Sequence, residues 1–307
     1  MNDNFINTVR LLLKIAPAVF HSGKFALKGG TAINLFIREM PRLSVDLDLI
    51  YIDHTKQRED AFSDISASVN EMCTGLKRQG FDAFIKPGVR ELDSKVFVRD
   101  GNTEVKVEIN HVMRGVISTV EATSITQAVK DRFKTNVTVP MVSHDEVYAG
   151  KLVAAMDRQH PRDLFDVHQL INNEGISKEM VHIFVVYLAS HNRPIHEVLF
   201  GNMLDIENEY KNNFVGMTEE DIPLKTLTKT RELLFETVQT MLTDNHKQFL
   251  VSLASAEPDW QLLNIQHLQD MPGMKWKIQN IKLLKDINPN KFAQHIQLLN
   301  TKLSEIK

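Results

Sequence analysis

The sequence predicts an α+β protein, with an N-terminal α/β domain over residues 1–140 and a helical C-terminal portion over 141–307. Three observations carry this. Strand-like and helix-like segments alternate as far as Pro140. Beyond it nearly every segment has helical texture, broken near Pro161, Gly175, Pro194, Gly216, Pro223, Pro258, Pro272-Gly273 and Pro289. The chain has 307 residues, 43% hydrophobic and 24% charged, which is enough for one large domain or two ordinary ones.

Taken in order, residues 5–20 carry apolar side chains at helical spacing (Phe5, Val9, Leu12, Leu13) and close near Pro17. Phe25 to Lys28 reads as a short strand, Gly29-Gly30 as a tight turn, and Thr31 to Arg38 as a helix with Gly30 or Thr31 near its start. Met40-Pro41-Arg42 links this helix to a strand through Asp46 and Asp48. Phe62, Ile65, Val69, Met72 and Leu76 repeat at spacings of 3 and 4, an amphipathic helix over 57–79 that Gly80 ends. Residues 81–86, 94–99 and 103–110 read as strands, with turns at Pro87-Gly88 and Asp100-Gly101-Asn102. There is no internal repeat and no low-complexity tract.

Composition removes several classes of function. A net charge of −3 argues against a polybasic nucleic-acid coat while leaving room for a local basic groove. The single cysteine, Cys73, excludes a disulfide framework and a cysteine-based zinc site, and fits a reducing cytoplasm. No apolar run approaches the roughly 20 residues of a membrane span. The polar, acidic start Met1-Asn2-Asp3-Asn4 is unlike a signal peptide. The histidines lack metal-binding spacing, and neither a Walker-type loop nor a Gly-x-Ser-x-Gly elbow is present.

The most informative residues are Asp46 and Asp48. In a strand they point to the same face, with Ser44 and Ile50, while Val45, Leu47, Leu49 and Tyr51 point to the other. Two adjacent carboxylates repel each other and resist burial. A divalent cation such as Mg²⁺, which takes carboxylate oxygens together with substrate phosphates, resolves the conflict. This pattern predicts metal-assisted phosphoryl or nucleotidyl transfer. Upstream, Gly29-Gly30-Thr31 opens a helix whose free N–H groups can hold a phosphate, with the Thr31 hydroxyl adding a hydrogen bond. By itself such a turn is commonplace. Lys28 either adds charge there or is a solvated lysine, and Arg42 either grips a phosphate or pairs with an acid.

A third carboxylate is expected from a neighbouring strand. Glu104, Lys106 and Glu108 share one face of Glu104 to Asn110, and period alone does not choose between the two glutamates. In the helical portion, Lys151, Arg158 and Arg162 are spaced 7 and 4 apart. Pro161 is placed to start a new helix, with Asp163 and Asp166 in its first turns. This is either a surface salt-bridge cluster or a cationic wall for a triphosphate, with the acids fixing the arginines. From Asp270 onward there are seven lysines and three acids, with Trp276 among them. That stretch is either a solvated helix face or a contact for RNA.

Four blocks in order resemble the AbiEii/AbiGii-type nucleotidyltransferase toxins of the polymerase-β-like nucleotidyltransferase superfamily. They are Lys28 to Ala32, Arg42 to Leu49, Lys106 to Asn110, and Lys151 through Arg158 and Arg162 to Asp166, together covering about residues 25–170. The resemblance implies a mixed-sheet nucleotidyltransferase core flanked by helices, with helices 144–174 completing the nucleotide site. It implies Asp46, Asp48 and Glu108 as metal ligands, favouring Glu108 over Glu104, although many relatives carry Asp there. Gly29, Gly30, Thr31, Arg42, Ser44, Lys151, Arg158, Arg162 and Asp166 are then nucleotide-binding, and Asp46, Asp48, Glu108, Lys151 and Asp163 catalytic. It further implies Mg²⁺ (or Mn²⁺), an NTP substrate, an RNA acceptor such as the tRNA 3′ end, and a separate antitoxin protein. Competing expectations are transfer to a protein or small molecule, kinase-like transfer of the γ-phosphate, and a non-catalytic binding module.

Overall fold

The computed structural model describes residues 3–86 and 95–306. The chain forms two compact units, one of Met1–Val147 with Val215–Asp221 and one of Tyr148–Phe214 with Ile222–Lys307.

The first unit contains α1 (Asp3–Val19), β1 (Phe25–Lys28), α2 (Gly29–Thr31), which continues as a π-helical turn over Ala32–Ile37, β2 (Asp46–Tyr51) and α3 (Arg58–Arg78). It goes on with β3 (Asp82–Lys86), β4 (Lys95–Asp100), β5 (Thr103–Asn110), β6 (Val120–Ser124), α4 (Gln127–Phe133), β7 (Thr138–Val142) and the start of α5 (His144–Arg158). The seven strands make one mixed sheet in the order β3-β4-β5-β2-β1-β7-β6. β2 runs parallel to β5 and β1 parallel to β7, and the other neighbours are antiparallel.

The alternation in β5 explains how the sheet is covered. Val105 and Val107 are fully buried on the side where α1 packs, while Glu104, Lys106 and Glu108 face the other way. Val9, Leu12 and Ile15 of α1 and Ile65, Val69 and Leu76 of α3 supply the helical layer. Each such side chain contributes about 1.5–3 kcal/mol of burial. α3 begins with Glu59 and Asp60 and ends with Lys77 and Arg78, both matched to its dipole, and Gly80 at φ +91° stops it.

Several boundaries differ from the sequence expectation. α1 continues through Pro17 to Val19, because a proline in the last turn removes only one internal hydrogen bond. Thr31–Arg38 is not one α-helix; the turn widens after Thr31, and Arg38 is extended. The strand holding the aspartates starts at Asp46, so Ser44 lies outside it. The strand expected over 94–99 is described over Lys95–Asp100, and residue 94 and the turn expected at Pro87-Gly88 lie outside the described residues. The Gly101-Asn102 hairpin is as expected, with Asp100 opposite Thr103 and Gly101 at φ +59°. β6, α4 and β7 had not been read, and the first unit runs past residue 140 to Val147 because β7 spans Pro140.

The second unit is helical: the remainder of α5, α6 (Pro161–Asn173), α7 (Lys178–Ala189), α8 (Ile195–Leu199), α9 (Glu207–Asn213), α10 (Leu224–Thr240), α11 (Asp244–Ala254), α12 (Pro272–Ile287) and α13 (Pro289–Ser304). Pro161, Pro272 and Pro289 all stand in first turns, where the missing N–H costs nothing. α6 packs on α10, α7 on α11, and α12 on α13. No helix among the described residues is long and apolar enough to cross a membrane.

Candidate active site

The register of the first unit assembles a row of charge across four strands. Lys28 of β1 stands opposite Asp48 of β2, Asp48 beside Glu108 of β5, and Glu108 opposite Lys95 of β4. One row along, Asp46 stands beside Lys106. Paired residues share a face, so Asp46, Asp48 and Glu108 all lie on the side away from α1. Glu104 lies further along β5 and pairs with Arg99 at 2.6 Å. Register therefore brings Glu108, not Glu104, beside Asp48, a choice that period alone left open.

The glycine turn stands directly over this row. Gly29 sits at φ +76°, and a Cβ there would collide with the Asp48 carboxylate. A Cβ on Gly30 would lie 2.9 Å from Arg42 Nη2 and 3.0 Å from Ser44 Oγ. Gly29 is thus required by backbone shape as well as by close approach, whereas Gly30 is constrained by close approach to the Arg42 and Ser44 side chains. The Thr31 side chain is fully buried, and its hydroxyl contacts the Asp46 carbonyl and, at 3.0 Å, the Ser44 hydroxyl. The hydroxyl is thereby turned inward to join the turn to β2, which leaves the backbone N–H as its route to a phosphate. Asn34 ties the π-helical turn to the Gly30 carbonyl at 2.9 Å. Arg42 is buried, donates to the Leu43 carbonyl at 2.9 Å, and bridges to Thr218 in the returning segment of the same unit.

The electrostatics show what the row demands. Glu108 accepts from Lys95 at 2.7 Å and from Lys106 at 3.1 Å, and Lys106 also lies 3.5 Å from Asp46. Desolvation pushes the Glu108 carboxyl up, but the two lysines outweigh it and hold its pKa below the usual value. Desolvation likewise opposes the Lys106 charge, and Asp46 with Glu108 outweighs it, so its pKa rises. Burial pushes the Lys28 ammonium down, against the pull of Asp48 and Glu146. The face therefore carries both signs of charge, with Lys95 and Lys106 already offsetting Glu108. No group of three His, Cys, Asp or Glu converges as a ready cage among the described residues. Two carboxylates completed by substrate phosphates and water is the arrangement that Mg²⁺ favours, and Asp46 with Asp48 fits it.

In the second unit, Asp163 and Asp166 in the first turns of α6 close on α5. Lys151 lies 2.8 Å from Asp163 and 3.0 Å from Asp166, with all three side chains buried. The second oxygen of Asp163 takes Arg158 at 2.8 Å. Of the expected cationic wall, Lys151 is therefore a buried, doubly paired ammonium, and Arg158 an exposed guanidinium held from behind. Arg162 has no side-chain ion pair or hydrogen bond among the described residues, so the acids fix Arg158 but not Arg162. His160 caps α6, its Nδ1 accepting from the Arg162 N–H at 3.1 Å.

Sequence reasoning missed three parts of the arrangement. Lys95 enters only through the β4–β5 register, and Lys106 had been read merely as a face-mate of the glutamates. Glu146, fully buried, accepts from the Ile117 and Ser118 N–H groups at 2.9–3.1 Å and from the Ser118 hydroxyl at 2.7 Å. Its place early in α5 was the only available signal. The lysine-rich tail needs one correction. Lys277 is buried, donating to the His191 and Arg193 carbonyls at 2.6 Å each, and burial pushes its pKa down to about 8. It is not part of any solvated basic face.

Carboxylates on a sheet face beside a glycine turn are a pattern that phosphate-transferring enzymes use. The model of the family described as "Nucleotidyl transferase AbiEii toxin, Type IV TA system" matches residues 10–280. The chain belongs to this family and is a nucleotidyltransferase toxin of the type IV toxin–antitoxin class, for which an NTP is the substrate and an antitoxin the counterpart. In fold it is similar to MenT4, a nucleotidyltransferase toxin from Mycobacterium tuberculosis. The TM-score is 0.61 at 15% sequence identity, covering 91% of this chain and 93% of that one. No curated protein matches it by sequence.

Proposed function

We propose that the protein is a Mg²⁺-dependent cytoplasmic enzyme that transfers a nucleoside monophosphate from an NTP to RNA, at the 3′ end of tRNA, under the control of a separate antitoxin protein. The observation that carries this reading is the alignment of Asp48 with Glu108, and of Asp46 one row along, beneath the Gly29-Gly30 turn.

Asp46 and Asp48 would hold the metal, with Glu108 as the third carboxylate. A divalent cation held there would supply positive charge against the charge that develops on the phosphates during transfer. The backbone N–H groups of Gly29, Gly30 and Thr31 take phosphate oxygens, for which glycine allows the necessary approach. Arg42 and Ser44 back that turn. In the helical unit, Arg158 and Arg162 offer guanidinium groups suited to nucleotide phosphates. Lys151, Asp163 and Asp166 fix the base of that cationic group, with Lys151 as its essential buried charge. The acceptor hydroxyl forms a bond to the α-phosphorus, the bond to the bridging oxygen breaks, and pyrophosphate leaves. The hydroxyl proton passes to Glu108, whose lysine partners offset its negative charge before the transfer.

The test is incubation with Mg²⁺, total bacterial RNA and each NTP labelled at the α-phosphate and, separately, at the γ-phosphate. Label from the α-position in a tRNA-sized band, lost in Asp46→Ala with the fold intact by circular dichroism, is the expected result. Loss of about 10²-fold or more is expected for that variant. Wild-type transfer by Asp46→Ala would remove the metal assignment. Label arriving only from the γ-position would make the enzyme a phosphotransferase, and labelled protein in place of RNA would change the acceptor.

A further inference from the structure

The sheet face that carries the carboxylates does not stop at β5. Lys106 stands opposite Phe97 of β4, and Phe97 opposite Phe84 of edge strand β3. The two phenylalanines therefore share the face of Asp46 and Glu108. Their rings stack with centroids 5.8 Å apart and planes 14° from parallel, and both are only half-buried. Behind them Ala83, Val96, Val98, Val105 and Val107 are fully buried on the side where α1 and α3 pack.

The face of a sheet opposite its packed helical layer is often polar. Here it instead displays two adjacent rings. Cations lie over them: the Lys86 ammonium is 4.3 Å from the Phe97 centroid and 5.5 Å from that of Phe84, and the Arg99 guanidinium, which also pairs with Glu104, is 4.7 Å from Phe84. Phe97 is two strand spacings from β2, about 10 Å from the Asp46 row. Half-buried rings with cations on the same sheet face are elements with which proteins hold unpaired bases. A duplex keeps its bases stacked inside and offers them no face.

We propose that Phe84 and Phe97 form the acceptor platform, on which unpaired bases of a single-stranded RNA end stack in place of the Lys86 ammonium, which turns to the backbone phosphates, while the terminal hydroxyl reaches the carboxylates. This rests on the RNA-acceptor reading above and adds to it the residues and the binding mode. Sequence-tolerant stacking is the mode expected, because every base has a ring face.

The test is fluorescence anisotropy of the full-length protein with a labelled single-stranded RNA of eight nucleotides, without NTP, alongside transfer assays. Phe84→Leu and Phe97→Leu keep apolar bulk on the strand and remove the ring. Each is expected to weaken RNA binding by about fivefold or more. The KM for RNA should rise to match, while the thermal stabilisation given by Mg²⁺-NTP stays at the wild-type value. That stabilisation also reports a folded protein, and if the double variant unfolds the single variants decide. Binding within twofold of wild type in both single variants would overturn the platform, and a parallel loss of transfer in Asp46→Ala would then leave the RNA transferase reading standing. A wild-type protein that binds no single-stranded RNA overturns both. RNA binding that depends on the rings, with no transfer of any label, keeps the platform and removes the proposed reaction.

Discussion

Gly29 and Gly23 separate two effects that one substitution usually mixes. Both have positive φ, +76° and +67°, but a Cβ on Gly23 meets nothing within 4 Å, whereas one on Gly29 meets the Asp48 carboxylate. Gly23→Ala is expected to cost about 1 kcal/mol of backbone strain and to leave transfer intact. Gly29→Ala should carry the same strain and also lose transfer by tenfold or more, read from melting curves and rates on the two proteins. Lys151 and Arg162 form a second such pair. Lys151→Met leaves Asp163 and Asp166 buried without their shared ammonium, so stability should fall by about 3–5 kcal/mol along with activity. Arg162→Ala breaks no ion pair, and its stability should change by less than about 0.5 kcal/mol while transfer drops. Urea denaturation of both variants checks this, and equal destabilisation would remove the distinction.

At the scale of elements, α11 contains a pH-dependent joint. Thr243 and His246 form a reciprocal cap, and His246 Nε2 lies 3.0 Å from His182 Nδ1 of α7. Burial, then the neighbouring His182, pushes the His246 pKa down to about 4. The unfolded chain takes up that proton near pH 6.5 and the folded one only near 4. Stability from this group is therefore complete above about 6.5, declines as pH falls towards about 4, and is level below. The difference corresponds to at most roughly 3–4 kcal/mol. Melting temperatures from pH 7 to 4 should show the decline, and His246→Gln, which keeps the cap without titrating, should flatten it. A residual slope from His168, His196 and His295, whose pKa values burial also lowers, should remain. Elements with a strong period were legible in the sequence: α3 from its apolar spacing, α6 from Pro161, and β5 from its alternation. β6, α4 and β7 were not, because each is only five to seven residues long and none shows a clean period.

At the scale of the molecule, the chain leaves the first unit at Val147 and returns to it for Val215–Asp221. There the Met217 carbonyl accepts from the Leu43 N–H at 3.0 Å, Thr218 bridges to Arg42, and Glu219 pairs with Arg132 at 3.3 Å. A protein ended after Val147 should therefore melt at least a few degrees lower than the same fragment with residues 215–221 joined by a flexible linker. Equal melting points would show the returning segment to be dispensable. Neither unit alone carries all four family blocks, so the fragment is not expected to transfer nucleotides even where it retains metal. The sequence by itself determined the class of chemistry, because two carboxylates at spacing 2 behind a glycine turn leave few stable explanations besides a cation and a phosphate. It also determined the change to helices, since proline and apolar period act locally. Only tertiary structure decided that Glu108, not Glu104, stands beside Asp48, that Lys95 and Lys106 offset it, and that Lys151 is buried between two aspartates. Strand register and burial depend on residues far apart in the chain, and no local period encodes which of them meet.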